Sequence, residues 1–131
     1  LRVRAKAMVD QYRRGWALRY LREARAELEA AKQMPYMAHG LILEAIRKAR
    51  NAIYYSLGEP AFIEAIVREA AENIENESDP ILKRLVEIEG LLQQLSYIEE
   101  LDKEKAIRQA DSLIQLASEI VETMMGEKVI D

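Results

Sequence analysis

Cysteine is absent from this 131-residue chain, and histidine, phenylalanine and tryptophan occur once each. Without cysteine there is no disulfide frame, no thiolate zinc site and no thiol nucleophile, and a reducing cytoplasm is the expected setting. The single histidine, His39, has no glutamate three residues before it, and Glu44 lies on a different helical face, so the Glu-x-x-His pairs of a di-iron bundle are missing. No metal and no cofactor is expected. No run approaches the roughly 18 uncharged apolar residues of a membrane span. Glycine-rich phosphate loops, a nucleophile elbow and a helix-turn-helix with a basic recognition helix are missing as well. No secretory signal is visible, and a start at Leu1 in place of Met suggests that residues precede it.

What is present is helix-forming and charged. Half of the residues are apolar and 32% are charged, with no low-complexity tract, which bounds the chain to one globular domain over residues 1–131. Abundant Arg, Glu, Lys and Ala without Cys also suits a thermophile, an archaeal one among them. The net charge of −4 hides an asymmetry. Residues 1–57 hold twelve Lys or Arg against five Asp or Glu, and residues 58–131 hold seven against eighteen, so the halves carry +7 and −11. Either oppositely charged helices attract one another, within the bundle or across a dimer, or the basic half meets a polyanion or nucleotide.

The periodicity predicts five helices and no strand, an all-α antiparallel bundle. Residues 2–33 read as one helix, or as two joined at Gly15, with Trp16, Tyr20, Leu21, Ala24, Leu28 and Ala31 on one stripe and Arg13, Arg14, Arg19, Arg22 and Arg25 outside. Arg22 and Arg25 have Glu29 to pair with. Pro35 breaks this helix. Gly58 is expected as a left-handed cap, followed by a third helix over 61–74 that buries Ile63, Ile66, Val67, Ala70 and Ile74. A fourth helix over 80–97 buries Ile81, Leu85, Ile88, Leu92 and Leu95, and Gly90 either weakens it or admits a neighbour. Asp102 caps a fifth, where Ala106, Ala110, Leu113, Ala117, Ile120 and Met124 step regularly until Gly126. Residues 127–131 are expected to fray.

The central stretch is 36–57. Ile42, Ile46, Ala49 and Ile53 form its apolar stripe, and Ala38, Ala45 and Ala52 a small-residue stripe that lets another helix approach. Arg47, Arg50 and Tyr54 share a third face, and with Tyr55 they are the candidate binding residues. No catalytic set emerges. Of the adjacent tyrosines, one is expected in the core and the other at a helix-helix or subunit seam. The first helix is longer than its neighbours require, so residues 1–15, with Val3, Ala7, Met8, Tyr12 and Trp16, are expected either to overhang as a dimerising arm or to fold back at Gly15.

Residues 20–58, YLREARAELEAAKQMPYMAHGLILEAIRKARNAIYYSLG, resemble the opening hairpin of HEPN domains. Ala24, Leu28 and Ala31 match the pattern A-x-x-x-L-x-x-A, Tyr36 the aromatic turn, and Ala45, Ala49 and Leu57 the second helix. Ala106, Ala110, Leu113 and Ile120 match the closing helix. The resemblance implies a four-helix up-and-down core plus one short extra helix, and a homodimer that binds a nucleotide, RNA or a nucleotidyltransferase partner protein. Catalytic members are ribonucleases that carry Arg, four to six residues, then His. Here Tyr55, Ser56 and Leu57 stand at those positions and the histidine precedes Arg50. The resemblance therefore implies a non-enzymatic binding or assembly module, the alternative being a ribonuclease or nucleotide-handling enzyme that uses Arg50 with Tyr54 or Tyr55.

Overall fold

The computed structural model describes residues 2–126, with side chains from Asp10 onward. Five α-helices follow one another: α1 (Arg2–Gln33), α2 (Ala38–Leu57), α3 (Pro60–Glu72), α4 (Pro80–Tyr97) and α5 (Lys103–Met125). Among the described residues there is no strand, and single 3-10 turns lie at Pro35–Met37 and Ile74–Asn76. Local chemistry sets most of the boundaries. Proline opens α3 and α4, the Asp79 carboxylate accepts from the Ile81 and Leu82 amides at 2.8 and 3.4 Å, and Asp102 accepts from Lys105 N at 3.2 Å. Gly126, at φ 67°, ends α5 in the left-handed conformation that favours glycine.

The core is a seam of small residues. Ala17, Ala24 and Ala31 of α1 meet Ala38, Ala45, Ala49 and Ala52 of α2, all fully or almost fully buried, and Ala106, Ala110 and Ala117 continue the seam on α5. Leu21, Ile42, Ile46, Ile53, Leu113, Ile114 and Val121 fill the space between these backbones. Thus α1, α2 and α5 pack as a close triplet, while α3 and α4 pack on α2 and on each other. α4 is tied to the start of α2 by His39, whose Nε2 lies 2.6 Å from the carbonyl of Leu95 in the last turn of α4. A histidine there satisfies one of the carbonyls that a helix end leaves open, which is a structural use.

Several expectations are corrected. Gly15 neither kinks nor divides α1, which runs through it uninterrupted. Gly58 has φ 168°, extended backbone and not the left-handed cap, because the chain must straighten into Glu59 and Pro60. α3 ends at Glu72, so Ile74 falls in the 3-10 turn and is exposed. Ile81 is exposed too, one turn short of the first full contact of α4, made by Leu85. On α5 the buried stripe leaves the 3-4 step for Val121, and Met124 is exposed, because a straight helix drifts against a strict heptad. Gly90 admits no neighbour, since a Cβ there would meet nothing within 4 Å. Of the overhang residues, the side chains of Val3, Ala7 and Met8 lie outside the described set, as do residues 127–131.

The alanine seam yields a test. Ala49→Leu inserts three carbons between α1 and α2 and is expected to lower stability by about 1–3 kcal/mol, read as a lower urea midpoint. The same change at exposed Ala61 is expected to leave the midpoint within about 0.5 kcal/mol of the parent.

Candidate functional site

The four candidate residues of α2 do not form one open face. Arg50 turns toward α4, where Nη1 lies 3.1 and 3.3 Å from the two carboxylate oxygens of Glu89. Its Nε and Nη2 both donate to Asn51 Oδ1. The Tyr54 hydroxyl donates to the same Glu89 carboxylate at 2.7 Å, and the guanidinium sits 5.6 Å from the Tyr54 ring centroid. Glu89 thus gathers two of the four residues into an α2–α4 network whose donors face a carboxylate of the chain itself. Only 4% of Tyr54 is exposed. Burial, reinforced by the hydrogen bond to anionic Glu89, pushes its phenol far above the usual tyrosine value.

Arg47 and Tyr55 go elsewhere. Arg47 pairs with Glu44 on its own helix, and this hydrogen bond holds the Glu44 carboxyl below its ordinary value and raises the guanidinium. Neighbouring Lys48 reaches across to α1, 2.6 Å from Glu27 and 3.0 Å from Glu23, and clamps the two helices together. Tyr55 joins a ladder of rings with α1. It stacks on Trp16 at 6.1 Å between centroids, with Tyr20 5.7 Å from both rings and Tyr12 at the outer end, 6.4 Å from Trp16. Arg19 lies over Trp16, and Arg13 Nη1 donates to the Tyr55 carbonyl at 3.3 Å. The two tyrosines therefore divide as expected: Tyr54 is core and Tyr55 is at a helix-helix seam.

The sequence reading missed Glu89, because its partners are 35 and 39 residues away and glutamates abound in this half. It missed Arg25 as well. Instead of pairing with Glu29, Arg25 donates to Ser118 on α5 at 2.5 Å, while Glu29 lies 3.7 Å from Lys32. Among the described residues no cluster of three or more potential metal ligands occurs. None of the described helices is long and apolar enough to cross a membrane. A groove of about 910 Å³ lies away from the candidate residues, between α4 and α5. No protein-family model, curated protein or solved structure matches the chain.

The Glu89 network sets the alkaline behaviour. A phenol whose folded value is raised contributes stability that is complete below its unfolded value, near pH 10, and is lost as the pH climbs toward the folded value. Stability is therefore expected to be flat with respect to Tyr54 up to about pH 10 and to fall above it. Tyr54→Phe should lower stability at pH 7 by about 1 kcal/mol and reduce that alkaline fall, both read by urea denaturation across pH 7 to 11.

Proposed function

We propose that this chain is a non-enzymatic binding or assembly module that works as a homodimer, in the manner of the HEPN-like bundles it resembles. The observation that carries this reading is the projection of α1. Its 32 residues span about 48 Å, against about 30 Å for the 20 of α2. Arg13 is bonded to Tyr55 near the end of α2, and Met124 and Met125 of α5 lie beside Asp10 and Arg13, so both neighbours end at this level. The helical backbone before Asp10 continues beyond them. At the root of this projection Tyr12 is 63% exposed, at the open end of the ring ladder. A projecting helix with an aromatic root supports self-association, because two such arms laid antiparallel bury one another's rings.

The closed Glu89 network favours a module over an enzyme. A ribonuclease that relied on Arg50 and Tyr54 would need both groups free to meet a phosphate, and both already face a carboxylate. The resemblance names the partner class for the assembled form, a nucleotidyltransferase protein or its nucleotide. Sedimentation of the intact chain, of a chain lacking residues 1–9 and of Tyr12→Glu tests the reading. A dimer is expected for the first and monomers for the other two; a monomer throughout removes the arm. Labelled RNA incubated with the protein is expected to stay intact, and cleavage that disappears in Arg50→Ala would establish the enzyme instead.

A further inference from the structure

α4 and α5 follow one another in the chain, but their backbones scarcely approach one another. α4 is held by α2 and α3, whereas α5 is held by α1 and α2. The groove left between them is floored by Ile88, Leu91 and Leu113. It continues at one end into an almost wholly apolar hollow of about 270 Å³ under Ile81, Leu116 and Ile120. At the other end it runs into one of about 180 Å³ beside Ile98 and Leu101. The groove shares Arg84 with the first of these and Leu91, Gln94, Lys105 and Gln109 with the second, so together they form one trough the length of α4, about 27 Å for its 18 residues. Gly90 stands on its wall without a side chain to close it.

The charge of the trough runs against that of its surroundings. Residues 58–131 hold only seven basic side chains against eighteen acidic ones, yet three of the seven, Arg84, Lys105 and Arg108, line this groove. Arg84 is paired with Glu87 at 2.8 Å. Lys105 and Arg108, one turn apart on α5, have no ion-pair partner among the described residues, although Asp102, Glu104 and Asp111 flank them in sequence. The apolar floor calls for an apolar stripe, and the two unpaired cations call for carboxylates beside it. This chain's own first nine residues do not fit, since Arg2, Arg4 and Lys6 would meet like charge.

We infer that the α4–α5 trough is a docking site for an acidic amphipathic helix of a partner protein, about five turns long, with leucine-type residues on the floor and glutamates against Lys105 and Arg108. This is the helix-in-groove mode, in which i, i+3, i+4 and i+7 anchors give affinity and flanking charge sets the partner. The inference rests on the binding-module reading but not on the α1 arm.

The probe is a labelled 18-residue synthetic helix with leucines on one face and glutamates beside them (about the length of the trough), titrated with the full chain by fluorescence anisotropy. Saturable binding is expected, weakened at least about fivefold by Lys105→Glu with Arg108→Glu and further by high salt. A peptide with lysines in place of the glutamates is expected to bind the doubly substituted protein better than the parent. Ser112→Trp, which fills the groove from an exposed position, should also abolish binding. Circular dichroism of each variant verifies that it is folded. Absence of saturable binding, or affinity unchanged by the charge reversal, overturns the inference while leaving a dimeric, RNA-inert module in place. Conversion of dimer to monomer by the charge reversal alone would assign the trough to a second copy and likewise overturn it.

Discussion

The close approach of α1 and α2 along alanine is the constraint on which the other contacts depend. A row of methyl groups lets the two backbones come within reach of short polar bridges that longer side chains would hold apart. Lys48 can then span to both Glu23 and Glu27, and the Arg13 guanidinium can reach the Tyr55 carbonyl. Hydrogen bonding to Glu27 holds the Lys48 ammonium above its ordinary value, and hydrogen bonding to Lys48 holds Glu23 below its own. Desolvation opposes the pairing on both sides but is outweighed by the hydrogen bonds, and the partly exposed clamp contributes modestly. The apolar seam supplies the driving force, and the ion pairs fix the register in which it closes.

Charge asymmetry along the chain turns out to be spent mostly within helices and between neighbours. Arg19 with Glu23, Arg68 with Glu64 and Arg84 with Glu87 are surface pairs one turn apart, each contributing only a few tenths of a kcal/mol. Arg50 with Glu89 is different in kind. It joins the basic half to the acidic half and is partly covered, and it anchors the tyrosine that stands between α2 and α4. Attraction between the two halves therefore acts here through a bridged contact in addition to the general field.

Helix identity and most helix ends were legible because their causes are local. Pro35, the cap Asp102 and Gly126 each act within one turn of where they stand. Gly58 was misread because the same residue type serves a left-handed cap and an extended link, and Pro60 two residues on decides for the latter. The site was less legible. Sequence spacing correctly placed Arg50 and Tyr54 together, but whether that face opens to a ligand depends on Glu89, which arrives only when α4 docks. Arg25 and Ser118, 93 residues apart, pair for the same tertiary reason.

The short α3 explains why the bundle is not closed all round. It buries only Val67 and Ala70 fully, and with Ile63 and Ile66 half-covered it wedges α4 against the outer face of α2. α4 is thereby committed to α2 on two sides, through α3 at its start and through His39 at its end. α5 is drawn the other way by the alanine seam with α1 and α2. Two adjacent helices pulled toward different partners must part, and a gap opens between them that passes Gly90 and Ser112. The opening between α4 and α5 is thus a consequence of where alanine and the short helix stand.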